Sequence, residues 1–167
     1  MKTLEPPSSF YLSFAAGWFE LGNIPEAREE LKRIDAAFAL HPSVLRVRWM
    51  LDSSEKNWES ALKVAQELVK VDPSLPEGWL NKAYASRRVR DGGVKVALEA
   101  LRPALETFPE EPTIPYNLAC YACQLQNLDE ARKYLKRAFS VGGKKAMKQM
   151  ALGDEDLKPL WPEIGKL

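Results

Sequence analysis

Alanine recurs in this chain at an almost constant spacing. Ala27, Ala61, Ala97 and Ala131 are separated by 34, 36 and 34 positions, and the residues around each copy repeat with it. The positions three before, four after and seven after each alanine are all apolar, which is the spacing of one stripe on an α-helix. A chain with four such stripes is predicted to fold as an all-α, stacked array of helical repeats.

Composition excludes several classes of protein. The 24 basic and 23 acidic residues give a net charge of +1, so no general field attracts nucleic acid or anionic lipid, and neither partner is expected. No apolar run approaches the roughly 20 residues that span a bilayer. The apolar stretch 10–19 follows Pro6 and Pro7 and lacks the basic region of a signal peptide. The expected location is the cytoplasm.

Each repeat is predicted to hold two helices joined by a short turn. The predicted segments of this single domain are a tail at 1–7, repeats at about 8–41, 42–75, 76–111 and 112–143, and capping helices at 144–167. The second helix of the first repeat is expected to run to about Leu40, and Asn57 is expected to cap the second helix of the next repeat. Pro103, which has no N–H, is predicted to kink the helix that begins near Val94.

No group of residues points to covalent chemistry. Cys120 and Cys123 lie within a predicted helix, whereas a redox pair usually needs a thiolate activated at a helix N-terminus. A structural zinc site needs four ligands, and the chain offers these two thiols and one histidine, His41. We expect the cysteines to pack as small apolar residues, and we expect no metal, no cofactor and no enzymatic activity.

The repeats resemble those of the tetratricopeptide repeat (TPR) family, which is built from 34-residue helix-turn-helix units. The second-helix signature of that family appears twice, as Ala61, Ala65, Leu68 and Pro73 and as Ala97, Leu101, Ala104 and Pro109. Arg48 and Asp52 depart from the pattern, because the family usually has apolar residues there. The resemblance implies a right-handed superhelical α-solenoid over about 8–143.

In this family the first helices of successive repeats line a concave groove that holds a peptide or helix of a partner protein. The groove positions carried over to this sequence are Leu12, Phe19, Arg46, Met50, Leu80, Tyr84, Arg87, Arg88, Tyr116 and Gln124. The alternative is that half of them pack against the neighbouring helix. One subclass grips the C-terminal carboxylate of a chaperone tail. This chain lacks two of the basic groups that such a grip requires, so that ligand is not expected.

The resemblance favours a protein-interaction scaffold that carries out no chemistry. The alternative is a dedicated chaperone or assembly subunit that masks the apolar surface of a client. The sequence also leaves open a homodimer made through exposed aromatic residues such as Phe10 and Trp161.

Overall fold

Short helices joined by tight turns make up the regular structure of this chain. The computed structural model describes residues 3–167, and every regular element in that range is helical. The α-helices are α1 (Ser8–Glu20), α2 (Ile24–Lys32), α3 (Pro42–Ser54), α4 (Trp58–Val71), α5 (Pro76–Ser86), α6 (Val94–Leu101), α7 (Ala104–Thr107), α8 (Thr113–Gln124), α9 (Leu128–Gly142), α10 (Lys144–Leu152) and α11 (Trp161–Ile164). Two short 3-10 helices are Ala36–Phe38 and Glu155–Leu160. The predicted all-α fold class is confirmed.

The helices fall into two compact units, a first unit that ends at Asn81 and a second unit that begins at Lys82. In the first unit α1 packs against α2 and α3, and α3 packs against α4. In the second unit α8 packs against α6 and α9, and α9 packs against α10. Helices that are neighbours in sequence are therefore neighbours in space within each unit, as in a repeat array. The exact bounds of the four repeats stay a prediction.

A left-handed residue followed by an asparagine forms the turn in three of the helix pairs. These residues are Gly22 and Asn23, Lys56 and Asn57, and Gln126 and Asn127. The left-handed residues have φ of 75°, 58° and 62°. Each asparagine side chain accepts a hydrogen bond of 3.3 to 3.4 Å from the backbone N–H three residues later, which satisfies one free donor of the new helix. The cap predicted at Asn57 is confirmed.

The four repeating alanines are completely buried, as their stripe predicts. A methyl side chain lets neighbouring helix axes approach to about 8–10 Å. In the first unit the buried cluster around Ala27 consists of Ala15, Ala27, Leu31, Ile34, Phe38, Val44, Val47 and Leu51. Full burial of one leucine stabilises the fold by about 1.5–3 kcal/mol relative to exposure. These clusters provide the main driving force for folding.

A polar contact explains why Asp52 departs from the family pattern. Its carboxylate is buried and accepts hydrogen bonds from Arg28 Nη2 at 2.7 Å and from Ser60 Oγ at 2.6 Å. Arg28 lies on α2 and Ser60 on α4, so one carboxylate on α3 joins three helices. Arg48 donates a hydrogen bond of 3.3 Å to the Ala39 carbonyl. Both departures therefore have polar partners within the first unit.

One expected helix end is wrong, and the helix that was predicted to kink at Pro103 is interrupted there. The second helix of the first repeat ends at Lys32 instead of near Leu40, and the 3-10 helix Ala36–Phe38 follows it. The Asp35 N–H donates to Ser8 Oγ at 3.1 Å, and Asp35 has the extended ψ of 135°, so the helix cannot continue through it. At Pro103 the helix is interrupted, because α6 ends at Leu101 and α7 begins at Ala104.

The C-terminal segment of residues 144–167 packs onto the second unit. Leu157, Leu160 and Ile164 are completely buried. Glu163 accepts hydrogen bonds from Arg132 Nε at 2.6 Å and from Arg132 Nη2 at 2.8 Å. The Trp161 indole N–H donates to the Ala151 carbonyl at 3.0 Å. Apolar burial and directed polar contacts together hold this segment against α8 and α9.

Candidate functional site

Three of the predicted groove residues come together on the first unit. Leu12 of α1 and Arg46 and Met50 of α3 line one groove of about 390 Å³. The remaining lining residues are Ser13, Ala16, Ser43, Val47 and Glu77. Arg46 and Met50 are four residues apart and therefore lie on the same face of α3. The groove combines an apolar floor with two hydroxyl groups and a charged pair.

The charged pair of this groove is open to solvent. Arg46 Nη2 lies 2.5 Å from Glu77 Oε2, and the two side chains are 49% and 36% exposed. Exposed ion pairs of this kind contribute about 0–1 kcal/mol to stability, because water screens them. A charged group of a partner can therefore replace either member at low cost.

Two more predicted residues of the first unit lie outside the groove lining. Phe19 is half-buried and packs against the core cluster around Ala27. Leu80 is half-buried on α5. Beside it, Asn81 is buried, and its side-chain Nδ2 has no hydrogen-bond partner among residues 3–167. Asn81 follows Glu77 by four residues, so both lie on the same face of α5.

Contacts within the second unit engage predicted groove residues of the third and fourth repeats. The Tyr116 hydroxyl donates to Asp154 Oδ2 at 3.0 Å, and only 6% of this residue is exposed. Arg87 donates to Asp156 Oδ2 at 3.0 Å and to Gln124 Oε1 at 3.0 Å. A partner could reach Tyr116 only if the C-terminal segment moved away. The surroundings of Tyr116 therefore agree with the alternative that this residue packs within the fold.

Tyr84 and Arg88 form a stacked pair at the C-terminal end of α5. The Arg88 guanidinium carbon lies 3.5 Å from the centre of the Tyr84 ring, within the range of a cation–π contact. Arg88 Nη1 also donates to the Tyr84 carbonyl at 2.9 Å. Tyr84 is exposed and Arg88 half-buried. The pair therefore presents an aromatic ring and a positive charge to solvent at this end of the helix.

The two cysteines lie in an environment that keeps them protonated. Cys120 and Cys123 are both buried and not bonded to each other. Burial raises the pKa of both thiols, and the carboxylates of Asp154 and Asp156 raise them further. A thiol with a raised pKa is a poor nucleophile at neutral pH, so this environment suits packing rather than redox chemistry.

The described part of the chain shows neither a metal cluster nor a membrane span. Among residues 3–167, no three His, Cys, Asp or Glu side chains are grouped so that they could hold a metal ion. None of the helices in the same range has both the length and the apolar character that crossing a bilayer demands.

The sequence did not predict the acidic partners of the groove residues, which are Glu77 for Arg46, Asp154 for Tyr116 and Asp156 for Arg87. Glu77 lies in the first turn of α5, where an acidic residue is ordinary, so nothing marked it as a partner of Arg46. Asp154 and Asp156 were placed in the capping segment, with no signal that they would reach Tyr116 and Arg87. Their contacts join residues 38 and 69 positions apart, and such distant pairs cannot be read from helical periodicity.

Comparison with known proteins agrees with this architecture. Residues 85–140 match the tetratricopeptide repeat family. No curated protein matches the sequence. The solved structure of MamA residues 41-end from Desulfovibrio magneticus RS-1 has a TM-score of 0.72 and 15% identity, with 98% of this chain and 94% of that chain covered.

Two further solved structures give the same result. A crystal structure of MamA protein has a TM-score of 0.73 and 17% identity, with 95% of this chain and 86% of that chain covered. A thermophilic TPR protein in Thermus thermophilus has a TM-score of 0.65 and 19% identity, with 95% and 83% covered. At these identities the likeness shows a shared fold. Residues 85–140 therefore match the tetratricopeptide repeat family, and the chain shares the fold of these solved structures.

Proposed function

We propose that this protein is an interaction scaffold, and that its first unit binds a peptide or short helix of another protein in the groove of Leu12, Arg46 and Met50. The groove itself carries the proposal, because its apolar floor lies next to an exposed and weakly held charged pair. Arginine and methionine are enriched at protein interfaces, where they combine polar recognition with adaptable apolar contact.

The groove favours a partner segment with an apolar side chain next to an acidic one. The apolar side chain would lie over Met50 and Leu12, while the carboxylate would replace Glu77 as the partner of Arg46.

The second unit would contribute less to binding. Its predicted residues Arg87, Tyr116 and Gln124 already take part in contacts within the unit, two of them with the C-terminal segment. Displacing that segment would expose completely buried leucines, at a cost of about 1.5–3 kcal/mol for each side chain. We therefore place the binding surface on the first unit.

A selection from a random peptide display library tests the proposal. Peptides enriched on the parent protein are measured against Arg46→Glu, and against Lys63→Glu as a control with the same change of charge on the exposed face of α4. We expect Arg46→Glu to lower the affinity by about tenfold or more and the control to change it by less than about twofold, because only Arg46 would contact the ligand. Circular dichroism verifies that both variants fold.

The methionine methyl groups provide an independent measurement of the binding position. The chain has four methionines, and Met50 is the one that lines the groove, whereas Met147 and Met150 lie on α10. A selected peptide is expected to shift the Met50 methyl resonance and to leave those of Met147 and Met150 in place. Shifts confined to Met147 or Met150 would contradict the proposed site.

The chaperone alternative predicts a different behaviour. A chaperone would suppress the light scattering of several unrelated aggregating clients at stoichiometric amounts, and Arg46→Glu would leave this activity intact. A scaffold would bind one class of peptide and would leave the aggregation of unrelated clients unchanged.

A further inference from the structure

An apolar stripe runs along the outer face of α1. Phe10, Phe14, Trp18 and Leu21 follow one another at spacings of four, four and three residues, so they lie on one side of the helix. Their exposed fractions are 56%, 54%, 38% and 77%. Contiguous exposed apolar surface of this kind marks an interaction site on a soluble protein.

The opposite face of α1 is already used by the core of the first unit. Ala15 is completely buried, and Tyr11, Leu12, Ala16 and Phe19 pack against the core cluster. The stripe is therefore extra apolar surface that the fold of the unit does not need. The groove proposed above lies on a neighbouring side of the helix, where Leu12 and Ala16 line it, and Ser13 borders both surfaces.

A notch interrupts the stripe at its centre. Gly17 and Ser13 line a depression together with Phe14, Trp18 and Leu21. A Cβ atom added at Gly17 would meet no other atom within 4 Å, so the space over this glycine is open. Glu30, at the edge of the depression, is already paired with Arg33 at 3.0 Å.

We propose that this face is covered by α1 of a second copy of the chain, packed antiparallel about a two-fold axis. In an antiparallel two-fold pair, residue i lies at the level of residue j when i and j have a constant sum. A single sum of 31 places Phe14 at the level of Gly17, Trp18 at the level of Ser13 and Phe10 at the level of Leu21. At the centre of the pair, each bulky ring thus meets a small residue of the other copy.

This register makes the surface complementary to itself, which a symmetric dimer requires. The open space over Gly17 receives the Phe14 ring of the second copy, and the same contact occurs twice. The acidic residue of α1, Glu20, lies at the level of Tyr11 of the second copy, so this register does not place the acidic side chains of the two α1 helices at the same level. Antiparallel packing also opposes the two helix dipoles.

The exposed area is sufficient for a weak dimer. At the exposed fractions above, the four side chains present about 450 Å² for each copy. Two copies would bury about 900 Å² through these side chains alone, near the lower limit of about 1,000 Å² for specific interfaces. We therefore expect a dissociation constant on the order of 10–100 µM.

Sedimentation equilibrium of the full chain, from about 2 to about 400 µM, tests the proposal across the expected dissociation constant. The informative variant is Gly17→Leu, which adds apolar surface and fills the notch. Because the space over Gly17 is open, the variant monomer is expected to fold, as circular dichroism would verify. The proposed register predicts a dissociation constant at least about tenfold higher, whereas unspecific stickiness predicts tighter association.

Three further variants complete the measurement. Phe14→Ser is expected to weaken the dimer by about tenfold or more, since the ring is lost from both copies. Gly17→Ala, which fills the notch less, should give an intermediate constant. Leu152→Ser removes an exposed leucine of α10 and should change the constant by less than about twofold.

Several results would overturn the proposal. A chain that stays monomeric up to about 400 µM would contradict the proposed dimer and would indicate that the stripe contacts another protein. Tighter association of Gly17→Leu would refute the register. Equal weakening by Leu152→Ser would place the contact on a different face.

Discussion

Replacing Asp52 by alanine is expected to destabilise the first unit by about 2 kcal/mol. The Asp52 carboxylate lies between three helices, and its side chain is 6% exposed. Asp52→Ala removes the acceptor for the Ser60 hydroxyl and one of the two carboxylates that pair with Arg28. The hydroxyl would then be left half-buried without its partner.

The magnitude follows from the two lost contacts. The bond between the Ser60 hydroxyl and a buried carboxylate contributes about 1.5 kcal/mol. The Arg28 contact contributes about 0.5–1 kcal/mol, because this side chain is 35% exposed and retains Glu55 as a partner. Asp52→Asn keeps the shape and an acceptor oxygen, so it should cost about half as much.

Tryptophan fluorescence during urea unfolding measures this effect in the unit where it arises. Four of the five tryptophans, Trp18, Trp49, Trp58 and Trp79, lie in the first unit. The matched control is Glu29→Ala, which removes the 62% exposed partner of Lys32 on α2 and should change stability by less than about 0.5 kcal/mol. If Asp52→Ala lowers the free energy of unfolding no more than this control does, the reasoning about the buried carboxylate is wrong.

Three further predictions concern the second unit and the glycines. The hydrogen bonds from Arg132 hold the pKa of Glu163 in the folded chain below its usual value of 4.5. Their contribution to stability is therefore fully present above pH 4.5, and it is lost as the pH falls through the pKa of the folded state. Urea unfolding should therefore show Glu163→Gln to be less stable than the parent at pH 7, with a difference that shrinks in acid. Gly142→Ala should lower the free energy of unfolding by about 1–3 kcal/mol in thermal unfolding, because its Cβ would lie 2.7 Å from a neighbouring carbon. Gly17→Ala, measured at concentrations where the chain is monomeric, should raise the free energy of unfolding by about 0.5–1 kcal/mol, because the space over this glycine is open. The Cys120 thiol should react with a disulfide reagent at least about 100-fold more slowly in the native than in the unfolded chain at pH 8, and equal rates would refute its burial.

Local sequence patterns predicted most of the helices. The alanine stripes identified the second helices, because helical periodicity depends on residues three or four positions apart. The cap at Asn57 and the disturbance of the helix at Pro103, which was predicted as a kink, depend on the chemistry of single residues. The helix end at Lys32 was not, because it depends on a hydrogen bond from Asp35 to Ser8, 27 residues earlier.

The candidate site was less predictable for the same reason. The resemblance to tetratricopeptide repeats selected Leu12, Arg46 and Met50, and the structure brings these three together. It also selected Tyr116, which the fold covers with the C-terminal segment through Asp154, 38 positions later. A family pattern predicts which residues lie on a given face of a helix. It does not predict which other segment of a particular chain packs against that face.

The position of the C-terminal segment limits how such an array could be lengthened. A further repeat added directly after α9 would have to pack on the second unit where Leu157, Leu160 and Ile164 are already buried. Such an addition would compete with the resident segment for the same apolar surface. An array lengthened by duplication or by engineering would therefore need its new helix pairs inserted before α8. The pair α8 and α9 would then keep its contact with the C-terminal segment.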